Sequence, residues 1–305
     1  MKKDLLVPYI ALAAICIIWG TTYLMLRIAV LHFPPFLFVV IRQIIAGSLL
    51  VGFMVLSGKA GWPDVRNIRR QAIAGFFMIS LGNGLVAWAE VLIPSGVAAI
   101  LCSLMPVVVI LINIGINKEE RPTVPIFAGV LVGLVGIIMI FGEHLEAFSR
   151  PEYQTGIAMI FIAVLAWAGG SVWMKKQGND GDAFVNAGLQ MFFGGIWLIP
   201  CTLLFDNLTS VTWSIEAFYA LIYLVLIGSV VAYACYTYVL RKLPMTIVSL
   251  YAYINPIVAV LLGWLVLDEK LNMQIGISIL VTVTGIYIVN RGYQIGRYWK
   301  QQFSR

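Results

Sequence analysis

Charged side chains are scarce in this sequence. Asp, Glu, Lys and Arg make up 11% of its 305 residues, against roughly 25% in a soluble domain. The two histidines, His32 and His144, fall in predicted loops, so no imidazole lies within an apolar segment to act as base or metal ligand. Cys16, Cys102, Cys201 and Cys235 all sit in apolar runs with neither CxxC nor metal spacing, which argues against a disulfide framework or a bound metal. They read as small apolar residues. No GxxxxGK[ST] loop is present, so no ATP-driven pump is encoded within the chain. Glu90 is the one acid well inside a predicted apolar segment, Glu216 standing at the edge of another. A membrane-embedded hydrolase or transferase therefore lacks its convergent nucleophile, base or metal set. A ring-forming filter motif, which a channel would need, is also missing.

Apolar sequence is what the chain has in abundance. Hydrophobic residues make up 61%, and the mean hydropathy is +0.95. With roughly 20 apolar residues needed per crossing, the segments 7–30, 35–57, 71–92, 95–117, 122–142, 154–175, 183–205, 215–240, 245–267 and 272–291 read as ten membrane helices. Lys2 and Lys3 precede a run that continues to about Val30 without a small-residue cleavage site, so it reads as the first span rather than a signal peptide. The net charge of +6 comes from basic residues spread over short loops, which excludes a nucleic-acid surface. With a cytoplasmic amino terminus, 16 of the 20 Lys and Arg residues face the cytoplasm. Arg27, Arg150 and Lys270 face outside and Arg42 stays in the membrane. That bias requires an even number of spans and two cytoplasmic termini.

The chain also repeats itself. Pro244 echoes Pro94, Asn255-Pro256 echoes Met105-Pro106, and Asp268-Glu269 echoes Lys118-Glu119. Earlier in each half Trp19 aligns with Trp167, Arg27 with Lys175, Arg42 with Gln190 and Gly47 with Gly195, and later Gly82 aligns with Gly228 and Asn83 with Ser229. Residues 1–148 and 149–305 thus form two five-helix units. Because five is odd, the second unit enters the membrane in the opposite orientation, which makes an inverted repeat. A proline inside a helix frees the carbonyl four residues earlier, here that of Cys102 and of Ala252. Interrupted helices at matched positions of two halves point to a transporter's binding site near the midplane. Gly82, Gly84, Gly129, Gly133 and Gly136 read as close helix packing.

Trp19-Gly20, Pro34-Pro35 with Arg42 beyond, Gly82-Asn83-Gly84 through Glu90 to Pro94-Ser95-Gly96, and Tyr253-Ile254-Asn255-Pro256 leading to Glu269 together resemble the EamA family of the drug/metabolite transporter superfamily. The resemblance covers nearly the whole chain. It implies a ten-helix inverted-repeat carrier in a bacterial plasma membrane, moving small metabolites outward through a central cavity lined by both halves. Amino-acid-like or other small amphipathic solutes are the expected substrates. A proton-coupled multidrug or nucleoside-type exporter is the alternative. The expected partners are a small-molecule substrate and the bilayer, as monomer or homodimer, with no cofactor.

Several polar and aromatic residues within the spans are candidates for function. Glu90 and Arg42 are the intramembrane charges, roughly 6 and 10 Å below Pro94 and Pro35 at 1.5 Å per residue. The aligned positions in the second half are Tyr236 and Gln190, so both charges are absent there together. This predicts an Arg42–Glu90 pair, as a structural clamp, as a site where Glu90 binds and releases a proton, or as a direct contact to substrate. Asn83 and Asn255 read as interhelical hydrogen bonds or substrate contacts. Pro106, Pro256, Trp19, Trp88, Trp167 and Tyr251 complete the expected cavity set, the aromatic rings suiting an amphipathic solute or a cation held over a ring.

Overall fold

The computed structural model describes residues 3–93, 95–116, 122–140, 142, 149–177, 181–267 and 273–303, and is all-helical over them. The expected correspondences at Pro94, Lys118-Glu119 and Asp268-Glu269, and the loop around His144, lie outside the described residues. The helices are α1 (Lys3–Val30), α2 (Pro35–Leu56), α3 (Val65–Leu92), α4 (Ser95–Cys102), α5 (Met105–Ile116) and α6 (Val124–Ile140). The second half has α7 (Gln154–Lys176), α8 (Ala183–Phe205), α9 (Ile215–Lys242), α10 (Met245–Val248), α11 (Tyr251–Leu267) and α12 (Met273–Phe303). Among the described residues nine helical segments are long and apolar enough to cross a membrane, α4 with α5 and α10 with α11 counting as one segment each, and α6 is a shorter apolar helix of 17 residues.

Local chemistry sets where these helices begin. Pro35 opens α2 at a position where a missing N–H is harmless. Asp64 accepts from Asn67 N–H at 2.6 Å, Asp182 from Phe184 and Val185 N–H, and Ser214 from Ala217 N–H, capping α3, α8 and α9. Inside α3 and α9 the regular α pattern gives way to π-helical stretches, Phe76–Gly84 and Leu224–Val231. The sequence reading missed these, since nothing in hydropathy marks a widened turn.

Packing exchanges corresponding elements between the halves. α2 packs on α8 and α6 on α12, while α1 packs on α9 and α11, and α7 on α3, α4 and α5. Glycines permit the tightest of these contacts, as expected from the small-residue positions. A Cβ on Gly285 would lie 2.3 Å from the backbone nitrogen of Gly133, and one on Gly47 would lie 2.5 Å from the carbonyl of Gly188. Lipid-side residues such as Leu49, Leu131 and Leu280 are exposed, as a chain solvated by hydrocarbon requires.

Candidate functional site

A cavity of about 120 Å³ opens where the two halves meet. At roughly 10–15 Å³ per water it holds several waters or part of a small solute. The first half contributes Trp19 and Thr22 of α1, Arg42 and Gln43 of α2, and Asn83 and Glu90 of α3 to its lining. The second half contributes Trp167 of α7, Ser229 and Tyr233 of α9, and Tyr251 and Asn255 of α11. Of the residues expected from sequence, Trp19, Arg42, Asn83, Glu90, Trp167, Tyr251 and Asn255 come together here.

The π-helical stretches place the polar backbone. Each carries a glycine and a polar residue into the wall, Gly82-Asn83 in α3 and Gly228-Ser229 in α9. A π turn disturbs the i to i−4 ladder, and such turns gather at functional sites. Trp19 Nε1 donates to the Gly228 carbonyl at 3.2 Å and Arg42 Nε to Ser229 Oγ at 2.8 Å. The first half thereby grips the widened turn of the second. On the opposite side the absent side chain of Gly82 makes room for Trp167, whose ring would lie 2.7 Å from a Cβ there.

The aromatic residues form one cluster. Trp19 lies 5.6 Å from Trp167, 5.1 Å from Tyr236 and 4.8 Å from Tyr251 between ring centroids. Tyr236 closes it from behind, accepting from Trp167 Nε1 at 3.1 Å and sharing a 2.7 Å hydrogen bond with Ser171. Trp88 departs from expectation. Instead of facing the cavity it stacks on Phe205 and packs on Phe36, in a separate apolar cluster. On α3 Trp88 and Glu90 are two residues apart, about 200° around the helix at 100° per residue, so the face that turns Glu90 inward carries Trp88 away.

The proline expectation holds in one half and is corrected in the other. In the first half the helix breaks at Ser103-Leu104, so Pro106 is the second residue of α5 rather than a mid-helix kink, and its missing N–H falls where a helix has none to satisfy. Pro256 does lie inside α11. The Ala252 carbonyl that it frees accepts from Ser103 Oγ of the other half at 3.0 Å. Neither proline is among the lining residues, whereas Cys102 and Ala252, four positions earlier in each case, are. Asn255, oriented so that its amide nitrogen meets acceptors, donates to the carbonyls of Tyr251 at 2.9 Å and Cys16 at 3.0 Å. It ties α11 to α1.

The expected Arg42–Glu90 pair is not formed. Both residues line the cavity, but Arg42 Nε is held by Ser229, and neither carboxylate oxygen of Glu90 has a hydrogen-bond partner. The cation beside Glu90 is Arg27, whose Nη1 donates to the Glu90 backbone carbonyl at 2.6 Å. Proximity in depth was legible from sequence, but the direction of the two side chains around their helices was not. Their aligned counterparts do not pair with each other either. Gln190 accepts from Tyr233 and donates to Gln71, both at 2.6 Å, within a buried chain that continues through Asn67 to Asn186.

Gln43, Thr22 and Tyr233 are lining residues that the sequence reading passed over. Gln43 carried a usable signal, since a polar residue in an apolar span tends to face the bundle interior. Among the described residues no group of three His, Cys, Asp or Glu side chains is placed to hold a metal.

Comparison with known proteins agrees with this architecture. The profile of the EamA-like transporter family matches residues 6–142 and 154–291. The chain is 32% identical over 294 residues to "Uncharacterized inner membrane transporter YedA" of Escherichia coli K12, covering 95% of this chain and 92% of that one. It is 27% identical to "Protein PecM" of Dickeya dadantii (89% and 88% covered), and 22% identical to "Uncharacterized transporter YoaV" of Bacillus subtilis (92% and 95% covered). A solved crystal structure with 18% identity superposes at a TM-score of 0.78, over 97% of this chain and 99% of that one, which supports the fold alone. With its multiple membrane-crossing helices and a family match in each half, this chain belongs to the EamA-like transporter family.

Proposed function

We propose that this protein is a secondary transporter of a bacterial inner membrane, exporting small amphipathic metabolites by alternating access through the cavity between residues 1–148 and 149–305. The observation that carries the reading is the cavity's position, lined by polar and aromatic residues of both halves at the place where they grip each other. Rocking one half against the other around such a site exposes it alternately to the two sides of the membrane. The exchange-symmetric packing of α1 on α9 and α11, and of α7 on α3, α4 and α5, supports two repeats related by a two-fold axis. Five crossings per repeat put that axis in the membrane plane, with both termini cytoplasmic.

The test is flux. Purified protein in liposomes, preloaded with a panel of radiolabelled metabolites, gives saturable transport with counterflow if the reading is right. Flux that rises linearly with concentration and shows no counterflow marks a channel, and absence of flux across a broad panel refutes the proposal. A second reading, proton coupling at Glu90, is favoured by its buried carboxyl with both oxygens unpartnered. It requires an imposed pH gradient to drive flux in the wild type and not in Glu90→Gln.

A further inference from the structure

The polar groups around the cavity divide unequally. Four donors of the lining are engaged within the protein: Arg42 Nε on Ser229, Trp19 Nε1 on the Gly228 carbonyl, Trp167 Nε1 on Tyr236 and Tyr233 on Gln190. The buried side-chain atoms of the lining that have no partner are all acceptors, namely both carboxylate oxygens of Glu90 and Oε1 of Gln43. Glu90 and Gln43 are each 1% exposed, so bulk water does not satisfy them. Buried acceptors without donors are unfavourable, and a solute that supplies N–H groups at this point relieves the deficit. The rings of Trp19, Trp167 and Tyr251 also line the cavity.

We infer that the cavity recognises aromatic solutes carrying a primary amine, with the amine N–H groups on Glu90 and Gln43 and the ring against the tryptophan and tyrosine wall. The inference rests on the transport reading above and names its substrate class. N–H donors define the class more than net charge does, because Arg27, whose Nη1 donates to the Glu90 backbone carbonyl, is a cation already beside the carboxylate. An ammonium gains from the ring faces as well. A quaternary ammonium keeps its charge and its ring contacts but leaves the acceptors empty. A carboxylate brings no N–H to Glu90 and Gln43 and leaves the same acceptors empty.

Binding to the full chain in lipid nanodiscs, by calorimetry, tests this with three matched probes: 2-phenylethylamine, its trimethylammonium derivative and 3-phenylpropionate. The amine is expected to bind at least about tenfold more tightly than either of the others, the scale of a charge-assisted hydrogen bond. Gln43→Leu, which has nearly the same length and loses the acceptor, should weaken the amine about tenfold while leaving the trimethylammonium probe unchanged and the thermal midpoint within a few degrees. Glu90→Gln should weaken the amine further. Equal binding of amine and trimethylammonium overturns the donor argument in favour of ring contact alone. Preferred binding of the carboxylate assigns the site to Arg42, and binding of none of the probes overturns the inference outright. Amine binding without flux in liposomes instead sinks the transport reading and leaves the recognition intact.

Discussion

Trp19 and Trp167 meet edge to face across the interface between the halves, with ring centroids 5.6 Å apart and planes at 83°. They occupy aligned positions of α1 and α7, yet their indole N–H groups go to different partners, the Gly228 carbonyl and the Tyr236 hydroxyl. The contact is symmetric in position and asymmetric in chemistry. Trp19→Phe keeps a ring and removes the hold on the π-helical turn, so it should lower stability by about 1 kcal/mol and slow transport more than Trp167→Phe, whose lost partner Tyr236 retains Ser171. Equal flux in the two variants would count against the π turn as the part that must be held.

Arg42 should couple to Ser229 and not to Glu90. A double-mutant cycle of Arg42→Gln with Ser229→Ala is expected to show about 1.5–3 kcal/mol, the range for a hydrogen bond to a charged group. The same cycle with Glu90→Gln should show under about 0.5 kcal/mol, as for residues that share no contact. Thermal unfolding in detergent gives both values, and the reverse order would restore the ion pair as the dominant state.

Asp206 follows α8 and caps a different helix, its Oδ2 accepting from Leu37 N–H at 2.6 Å in the first turn of α2. Burial raises its carboxyl above the ordinary range, and the amides of Leu37 and Phe36 pull it partly back. A carboxyl raised on folding contributes most below its unfolded value, about 3.9, and loses that contribution as pH rises through the folded value. Asp206→Asn keeps an acceptor without a charge, so its stability relative to wild type should improve from pH 4 to pH 7. Asp206→Ala loses the cap and should cost about 0.5–2 kcal/mol throughout. Melting midpoints across that pH range decide, and a gain for Asp206→Asn at low pH only would reverse the sign.

Gly285 sits where α12 crosses α6, with no space for a side chain against Gly129 and Gly133. Gly285→Leu should reduce folded yield through overpacking of about 1–3 kcal/mol or more. Gly276 on the same helix has open space around it, and Gly276→Leu should express normally. Similar yields for the two variants would show that this crossing is looser than described.

Topology is open to direct labelling. A cysteine at Lys242, on a background without Cys16, Cys102, Cys201 and Cys235, is expected to react only with reagent supplied from the cytoplasmic side. Labelling from outside removes the inverted repeat from the proposal.

Sequence reading and structure part company at identifiable residues. Glu90 and Arg42 could be placed at compatible depth by counting 1.5 Å per residue, but their pairing depends on rotation about two helix axes. That rotation carries Arg42 to Ser229 and leaves both carboxylate oxygens of Glu90 without a hydrogen-bond partner. Trp88 shows the same limit, since an aromatic residue in a span is equally apolar toward lipid, core or cavity.

By itself the sequence determined the membrane class, the approximate helix positions, the recurrence of residues at a fixed offset between the halves and the short set of polar side chains within apolar segments. All of these follow from local quantities: hydropathy over about 20 residues, charge between segments, and residue identity at a fixed offset. Only the tertiary structure decided which of those side chains meet, that Pro106 begins a helix while Pro256 interrupts one, and that α3 and α9 widen into π turns at the cavity. The contacts at those features join residues 149 to 209 positions apart, such as Ser103 with the Ala252 carbonyl and Trp19 with the Gly228 carbonyl. Their geometry is fixed by the packing of whole helices against one another, which a one-dimensional pattern does not contain.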